Sequence, residues 1–382
     1  MSPSFADRVT RVEPSATIAI SNLAGELEAD GVDVVDLSVG EPDFPTPENV
    51  VEAGKQAIDD GHTGYAPSNG IPQLREAIVE KFEADGLSYG PDELIVTPGG
   101  KQALFEVFMA LLEEDDEVVL LDPAWVSYEA MAKMAGASIE RVDLSAHGFQ
   151  LEPALDELGE VVTDDTSLVV VNSPSNPTGA VFSDAALEGV RDLAVEHDAM
   201  ALSDEIYQRI SYDTEPTSLG SLDGMEDRTI TLNGFSKAYA MTGWRLGYVG
   251  LPKPLHEQAA KIQSHSVTCA THFVQYAGLE ALTNTDAAVT EMRDAFHERR
   301  DMLLDRLADH GTEIATPDGA FYVMLPVDDD DRAWCEGAIE DAHVATVPGS
   351  AFGTPGYARL SYAAGEARLR EAVDRLAEHG YI

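Results

Sequence analysis

The sequence predicts an α/β fold in which helices flank a mostly parallel sheet. Strand and helix patterns alternate from about residue 90 to residue 250, which is typical of this class. The segment at residues 166–171 is largely apolar and ends in Leu-Val-Val-Val, as expected for a parallel strand buried on both faces. With 382 residues, 44% of them apolar, the chain is long enough for a large core and about two or three domains.

The individual elements follow from local periodicity and from Gly, Pro and capping residues. A polar, unpatterned segment at residues 1–13 is interpreted as an N-terminal arm. The strands predicted for the parallel pattern are residues 93–97, 117–121, 138–144, 166–171, 200–203, 229–232 and 244–251. The main predicted helices are residues 14–29, 102–112, 286–310 and 366–378.

Two domains are predicted beyond the arm. Residues 46–289 contain the alternating pattern and form the large α/β domain. Residues 14–45 and 290–382 together form a smaller, discontinuous α+β domain. Most of the polar residues singled out below directly follow predicted strands, which is where open α/β sheets bind ligands.

The chain is strongly acidic. Asp and Glu number 69 against 24 Lys and Arg, which leaves a formal net charge of −45. Such a surface repels nucleic acids and anionic membranes, so neither is expected as a partner. Acidic residues spread over the whole chain indicate adaptation to high salt, where screening weakens their mutual repulsion. We therefore expect a halophilic source and a protein that unfolds when salt is removed.

The sequence contains no membrane, export or metal-binding pattern. No apolar run reaches the length of a membrane span, and no basic leader precedes an apolar segment. A soluble, cytoplasmic protein is therefore expected. Cys269 and Cys335 form neither a disulfide framework nor a metal-ligand spacing. The ten histidines show no His-Glu-x-x-His pattern, so no metal is expected.

Lys237 lies in a turn of small and polar residues, shortly after the predicted strand at residues 229–232. A lysine that forms a Schiff base requires partial desolvation, because only the neutral amine attacks a carbonyl and the ordinary pKa is about 10.4. The alternative is an ordinary lysine that extends from a loop into solvent. Arg245 follows nearby and is suited to binding an anion.

The segment at residues 236–247 reads Ser-Lys-Ala-Tyr-Ala-Met-Thr-Gly-Trp-Arg-Leu-Gly. It resembles the lysine motif of class I pyridoxal-phosphate aminotransferases, and the resemblance extends over nearly the whole chain. The prokaryotic aspartate aminotransferases of fold-type I are the subgroup it resembles most. The resemblance implies a fold-type I architecture and pyridoxal 5′-phosphate carried on Lys237. It also implies a homodimer with shared active sites, and an amino acid and a 2-oxo acid as substrates.

Three further residues are assigned to the cofactor by this resemblance. Asn176 lies in the segment Asn-Ser-Pro-Ser-Asn-Pro-Thr-Gly and is assigned to the phenolic oxygen and to the neighbourhood of the substrate. Asp204 would keep the pyridine nitrogen protonated, and Tyr207 would bind the phenolic oxygen. A lone Asp-x-x-Tyr is ordinarily a cap plus a core residue, but its order with Asn176 and Lys237 favours the functional role.

A glycine turn at residues 98–101 leads from a predicted strand into a helix. The free N–H groups at such a helix start form an anion site, and the resemblance places the cofactor phosphate at Gly100 and Arg245. The turn is neither a Walker motif nor a dinucleotide fingerprint.

Trp125 follows a strand and is assigned to stacking on the cofactor ring, although a core position is the commoner fate of a tryptophan. Tyr65 is assigned to the phosphate of the neighbouring subunit, with loop packing as the alternative.

The substrate residues are also implied by the resemblance. Arg359 lies inside the predicted strand at residues 357–362, where it would clamp the α-carboxylate, or alternatively form a structural ion pair. Gly40 would lie against the substrate. Ser15 and Thr17 would approach the substrate side chain, or cap the first helix.

The substrate assignment also depends on Lys101, which lies in the phosphate-binding turn and would bind the distal carboxylate of an acidic substrate. Two departures bear on it: Gly234 stands where many relatives have a phosphate-binding serine, and no arginine matches the one that other subgroups use for the distal carboxylate. Aspartate as substrate therefore rests on Ser15, Thr17 and Lys101. Glu13 is expected to disfavour bulkier anions such as prephenate.

The predicted function is transamination, in which Lys237 moves a proton at Cα and 2-oxoglutarate accepts the amino group. An aminotransferase for aromatic, branched or alanine substrates would keep the same core residues, and so would a fold-type I lyase. From another class, the chain would be a regulator that binds the cofactor without turnover.

Overall fold

The computed structural model describes residues 5–14, 16–327 and 330–382. Its strands are β1 Val35–Asp36, β2 Leu94–Thr97, β3 Glu117–Asp122, β4 Ser138–Asp143, β5 Thr166–Asn172, β6 Met200–Asp204, β7 Thr229–Gly234, β8 Gly247–Gly250, β9 Tyr322–Pro326, β10 Val344–Ala345, β11 Val347–Pro348 and β12 Tyr357–Ser361. Its helices are α1 Asp7–Thr10, α2 Ala16–Ala29, α3 Glu48–Asp59, α4 Pro72–Ala84, α5 Gly100–Leu111, α6 Val126–Ala135, α7 Leu155–Val161, α8 Asp184–Glu196, α9 Lys253–Ser266, α10 His272–Asn284, α11 Asp286–Asp309, α12 Asp331–Asp341 and α13 Glu366–Glu378.

A seven-stranded sheet forms the centre of the alternating region. Its strand order is β2-β8-β7-β6-β5-β3-β4. Neighbouring strands from β4 to β7 pair in parallel, whereas β8 is antiparallel to both β7 and β2. No α-helix lies between β7 and β8, and a parallel connection normally requires such a crossover. The predicted α/β fold with a mostly parallel sheet is confirmed.

Helices cover both faces of this sheet because successive strand residues point in opposite directions. Leu168 and Val170 of β5 pack with residues of α5, α6 and α9, whereas Val169 and Val171 pack with residues of α7 and α8. These four side chains are at most 3% exposed. Burying each of them contributes about 1.5–3 kcal/mol relative to leaving it in water, so β5 anchors both layers.

Two smaller sheets join the beginning and the end of the chain. β1 pairs in parallel with β10, while β11, β12 and β9 form an antiparallel sheet. Val35 and Leu37 share a core with residues of α11, α12 and α13. The division into residues 14–45 with 290–382, and residues 46–289, remains a prediction.

The strand directions determine where polar residues converge. β2, β3, β5, β6 and β7 run in the same direction, so their carboxyl ends meet at one edge. At this edge β5 ends at Asn172, β6 ends at Asp204, and Lys237 follows β7.

Two local predictions differ from the structure. The strand predicted at residues 244–251 begins only at Gly247, because Arg245 has a φ of 55°, in the left-handed region that strands do not use. The arm predicted at residues 1–13 contains the short helix α1, whose Thr10 side chain bonds back to the carbonyl of Asp7.

Candidate active site

A cavity of about 370 Å³ opens at the carboxyl edge of the central sheet. Its walls include eleven of the residues predicted from the sequence, namely Thr17, Gly40, Gly100, Lys101, Trp125, Asn176, Asp204, Tyr207, Lys237, Arg245 and Arg359. Tyr65 does not line this cavity within one chain. Ser15 lies outside the described residues.

Lys237 is positioned by the chain that follows β7. Its Nζ donates a hydrogen bond to the carbonyl of Gly40, which comes from the segment after β1. Burial, with the nearby Arg359 guanidinium acting in the same direction, lowers the pKa of Lys237 to about 8. A larger share of this amine is therefore neutral at pH 7 than in an exposed lysine, which favours attack on a carbonyl.

Asp204 is the last residue of β6 and is 3% exposed. Its Oδ2 accepts a hydrogen bond from Tyr128 Oη over 2.6 Å, and its Oδ1 accepts one from the N–H of Ile206 over 3.2 Å. Burial raises the pKa of Asp204 to about 6, while the Tyr128 hydrogen bond and the Lys237 charge oppose the rise. The carboxylate is therefore mostly ionised at pH 7, because its pKa lies about one unit below this pH.

Asn172 connects Asp204 to Asn176. The β5–β6 register places Asn172 directly opposite Asp204, and its Nδ2 donates to the Asp204 carbonyl over 2.9 Å. Its Oδ1 accepts from the N–H of Asn176 over 2.8 Å. Asn172 was not predicted as a site residue, although its place at the end of a buried strand beside Asp204 was a usable signal.

Arg359 is 2% exposed within β12. Its Nη1 donates to Asn176 Oδ1 over 3.0 Å and its Nη2 donates to the carbonyl of Ser38 over 2.5 Å. Its Nε has no partner among the described residues. A buried guanidinium with only neutral acceptors is costly, so the geometry favours an anionic ligand over the structural ion pair considered as an alternative.

A pair of tyrosines lies beside the lysine. The hydroxyls of Tyr207 and Tyr322 are 2.9 Å apart, and burial raises the pKa of both phenols. Lys237 Nζ lies 5.7 Å from the centre of the Tyr207 ring. The Arg359 guanidinium lies 4.6 Å from the centre of the Tyr322 ring. Tyr322 was not predicted, because it belongs to a strand distant in sequence.

The glycine turn before α5 lies against Arg245. Gly99 has a φ of 89°, and a Cβ at this position would lie 2.6 Å from Nη2 of Arg245. Arg245 is anchored by a hydrogen bond from Nη1 to the carbonyl of Thr242 over 2.8 Å. The start of α5 at Gly100 and the Arg245 guanidinium thus face one another, an arrangement suited to a phosphate group.

Gly234 has a packing reason in this chain. A Cβ at this position would lie 3.0 Å from Cδ1 of Ile206 and 3.1 Å from Cα of Gly247. Both distances are tighter than ordinary contact, so a serine would require its neighbours to shift. Ser236, two residues later, lines the cavity instead.

Lys101 and Trp125 form the outer wall. The Lys101 Nζ lies 4.7 Å from the centre of the Trp125 ring, within the range of a cation–π contact. The Trp125 ring also meets the Tyr128 ring edge to face, with centroids 5.4 Å apart. Thr17 contributes to the same cavity from α2, and the carboxylate of Glu41 accepts a hydrogen bond from Thr242 over 2.9 Å.

The sequence predicted neither a metal site nor a membrane span. Within residues 5–14, 16–327 and 330–382, no group of three or more His, Cys, Asp or Glu side chains is arranged to hold a metal ion. In the same part of the chain, no helix combines the length and the apolar character needed to cross a membrane. Cys269 and Cys335 are free thiols.

Comparison with known proteins adds to this geometry. A family model described as aminotransferase class I and II matches residues 32–376. The chain is 47% identical over 378 residues to the aspartate/prephenate aminotransferase of Thermus thermophilus, with 97% of each protein covered. It is 40% identical over 383 residues to aromatic-amino-acid aminotransferase 2 of Thermococcus litoralis, again with 97% of each covered. The structure of Thermus thermophilus aspartate aminotransferase with maleate has a TM-score of 0.95 and 45% identity, covering 99% of this chain and 100% of that chain.

Proposed function

The chain belongs to the class I and II aminotransferases, and from this we propose that it transfers an amino group between aspartate and 2-oxoglutarate with pyridoxal 5′-phosphate. The observation that carries the proposal is Arg359, a buried guanidinium without a carboxylate partner among the described residues. It lines the same cavity as the amine of Lys237. An amino acid needs this pair, because one group binds its α-carboxylate while the other acts at Cα.

The residues present fit the cofactor. A Cβ on Gly99 would fill the space beside Arg245, so the glycine leaves a cradle at the start of α5 for the phosphate. Asp204 offers a buried carboxylate for the pyridine nitrogen, and Lys237 offers an amine for the aldehyde. When bound, pyridoxal 5′-phosphate supplies an electron sink that makes the Cα proton of an amino acid removable.

Three further residues are proposed to contact the cofactor, either by stacking on its ring or by hydrogen-bonding its phenolic oxygen. Trp125 lines the cavity and provides a planar ring for stacking. Tyr207 and Asn176 are proposed to hydrogen-bond the phenolic oxygen. The hydroxyl of Tyr207 already has one neighbour, Tyr322 Oη, and can still accept or donate a second hydrogen bond.

The chain's own groups divide the reaction between them. Lys237 is proposed to take the proton from Cα as a neutral amine and to return it one position away, which its lowered pKa supports. Arg359 is proposed to hold the α-carboxylate so that the Cα–H bond faces this amine. Asp204 is proposed to remain ionised throughout, so that it keeps a proton on the pyridine nitrogen.

Aspartate as the substrate is supported by the outer wall. Lys101 places a positive charge over Trp125, at the same cavity as Arg359, and a dicarboxylate needs two such positive groups. Thr17 adds a hydroxyl, and Gly40 leaves room for the substrate. The Thermus thermophilus relatives are named for aspartate, and one was solved with maleate, itself a dicarboxylate. Glu13 is exposed, and its proposed effect against prephenate rests on charge repulsion.

A homodimer with shared sites is proposed from Tyr65. This side chain is 87% exposed in the single chain, which is unusual for a large aromatic residue. A second subunit that covers it would bring its hydroxyl to the neighbouring phosphate. Cytoplasmic location and adaptation to high salt are proposed from the cysteine usage and from the net charge of −45.

The proposal is tested by supplying single amino acids to the loaded enzyme in molar KCl and following the cofactor absorbance. Aspartate and glutamate are expected to convert it fastest, ahead of phenylalanine, leucine and alanine. No response to either acidic amino acid removes the substrate assignment. A fastest response to phenylalanine selects the aromatic alternative, which the Thermococcus litoralis relative represents. Release of ammonia in step with turnover identifies a lyase, and full cofactor binding without any conversion identifies a regulator.

A further inference from the structure

Tyr128 makes a buried contact that no sequence motif predicted. It lies in α6, is 2% exposed and donates a hydrogen bond from Oη to Oδ2 of Asp204 over 2.6 Å. Burial raises the pKa of Tyr128 well above its ordinary value, and the Asp204 charge raises it further. The phenol therefore stays protonated and acts as the donor.

The surroundings of Asp204 make this donor important. Among the residues that the structure describes, its other oxygen accepts only the longer backbone bond from Ile206, at 3.2 Å. Within the described residues, Tyr128 is the one side chain that hydrogen-bonds the Asp204 carboxylate. A buried carboxylate stays charged only when donors or cations replace the lost water. Removing one strong donor from such a group therefore changes its charge state, not only its position.

Tyr128 also supports the aromatic wall of the cavity. Its ring meets the ring of Trp125 edge to face, with centroids 5.4 Å apart. One residue thus contacts both the carboxylate and the indole that line the site. A tyrosine is well suited to this place, since its ring packs while its hydroxyl donates.

From this geometry we propose that Tyr128 is a positioning residue for the aminotransferase reaction, which keeps the carboxylate of Asp204 ionised and fixed at neutral pH. The proposal rests on the proposed function, because Asp204 must carry a negative charge to hold a proton on the cofactor ring. It predicts that the hydroxyl of Tyr128 affects the pH dependence of the enzyme, whereas its ring affects mainly packing.

The direction of the effect follows from charge. Burial alone favours the neutral carboxyl, whereas the Tyr128 hydrogen bond, the Ile206 N–H and the Lys237 charge, in that order, favour the carboxylate. Without this bond, Asp204 holds its proton to higher pH. A hydrogen bond to a charged group contributes about 1.5–3 kcal/mol, which corresponds to an upward shift of about one to two pH units.

The test uses Tyr128→Phe, which removes the hydroxyl and keeps the ring. The first readout is the acidic limb of the pH profile of kcat/KM, which is expected to move upward by about one unit or more. The second readout is the titration of Asp204 in the full chain without cofactor, by carbon-13 NMR of labelled aspartate carboxyls. The Asp204 resonance is assigned by its loss in Asp204→Asn. This second readout does not depend on turnover, so it separates a failure of this inference from a failure of the proposed function.

Tyr89→Phe is the matched control. Tyr89 is a buried tyrosine of the same large sheet region, but its hydroxyl donates to the carbonyl of Thr229 over 2.8 Å, away from the cavity. It is expected to leave the Asp204 titration unchanged. A second substitution, difluorotyrosine at position 128, makes the phenol a stronger donor and is expected to lower the Asp204 pKa. It keeps the shape of the residue, so it tests the inference even where Tyr128→Phe does not fold.

Three results would overturn the proposal. An Asp204 titration that is unchanged in Tyr128→Phe excludes a role for the hydroxyl. An equal shift in Tyr89→Phe identifies a general loss of packing. If Tyr128→Phe and the difluorotyrosine variant shift the pKa of Asp204 in the same direction, the shape of the side chain and not its hydrogen-bond donation is responsible.

Discussion

Arg359 donates a hydrogen bond from Nη1 to Oδ1 of Asn176 over 3.0 Å, and this bond ties two sheets together. Arg359 belongs to β12 of the antiparallel sheet, whereas Asn176 follows β5 of the central sheet. The bond fixes the guanidinium at the boundary between them. An anion that binds Arg359 is therefore held at the boundary between the two sheets.

Replacing Arg359 by Lys is expected to lower kcat/KM for aspartate by about 100-fold. An ammonium retains the charge but lacks the planar set of donors, and the loss of one charge-assisted pair corresponds to about 2–3 kcal/mol. Steady-state kinetics in molar KCl measure the effect. The control is Arg370→Lys, at an exposed ion pair with Glu366 on α13. An Arg359→Lys enzyme within threefold of the wild type, roughly 0.7 kcal/mol, contradicts the assignment of the α-carboxylate.

Replacing Lys237 by Met is expected to abolish transamination and to stabilise the protein without cofactor. The partly buried ammonium is desolvated, which lowers its pKa from 10.5 to about 8. Below pH 8 the folded chain carries the full cost, and between pH 8 and 10.5 this cost declines, because the folded chain then releases a proton that the unfolded chain retains. The gain from Lys237→Met is therefore largest below pH 8, about 2 kcal/mol after allowing for partial exposure, and shrinks as the pH rises.

Denaturant unfolding at several pH values measures this gain. Lys261→Met is the control, since Lys261 is an exposed residue of α9 whose Nζ donates a hydrogen bond to Gln258. A gain from Lys237→Met that is the same at pH 7 and pH 11 shows that desolvation of the charge is not its cause. Residual transaminase activity above the level of the blank removes Lys237 from the proposed mechanism.

Replacing Gly99 by Ala is expected to weaken cofactor binding by about tenfold or more, because the new methyl group displaces the Arg245 guanidinium. Gly99 has a φ of 89° and a ψ of 156°, a region that essentially only glycine adopts, so the substitution adds a backbone cost of about 1–3 kcal/mol. Gly31→Ala separates the two effects, since Gly31 has a φ of 88° but open space around it. Cofactor titration is expected to show weakened binding for Gly99→Ala alone, while unfolding shows a backbone cost in both variants that is larger for Gly99→Ala.

Tyr65 allows a direct test of shared sites. If one subunit supplies Lys237 and the other supplies Tyr65, a hybrid of Lys237→Ala and Tyr65→Ala subunits contains one intact site. Co-refolding the two variants is therefore expected to give activity well above that of either alone. The 87% exposure of Tyr65 in the single chain makes folding defects from this substitution small. Hybrids no more active than the separate variants contradict the exchange of this residue.

The thermal midpoint is expected to rise from dilute to molar KCl. The formal net charge of −45 repels itself within the folded chain, and salt screens this repulsion over distances beyond about 3 Å at 1 M. Sucrose at matched osmolality is the control, because it favours compact states without screening charge. A midpoint that does not move with KCl, or that moves equally with sucrose, contradicts adaptation through charge.

Local pattern was sufficient for the main architecture. The apolar run in β5 and the strand that ends at Asp204 were predicted, and the fold-type I likeness is confirmed by the Thermus thermophilus structure. Residues in recognisable segments, such as Asn176 and Lys237, were predicted and lie at one cavity. In each case the signal was contained in a short stretch of chain.

The missed residues depend on contacts between distant parts of the chain. Tyr128 meets Asp204 across 76 residues, and Tyr322 meets Tyr207 across 115 residues. In the sequence, Tyr128 is an ordinary aromatic residue of a helix, and the helical pattern does not show that its hydroxyl has a polar partner. The late start of β8 had a similar cause, because the left-handed φ of Arg245 serves its position against Gly99 and not local strand preference.

Asn172 pairs with Asp204 across β5 and β6, so the site forms only when these two strands are in the native register. A slip of one residue between these strands would turn the carboxylate to the opposite face and separate it from its bridging amide. Only molecules with the native register would then bind pyridoxal 5′-phosphate. By mass action, this binding would shift the folding equilibrium towards the native register. The yellow colour of a preparation would accordingly report the fraction of chains whose strands are in native alignment.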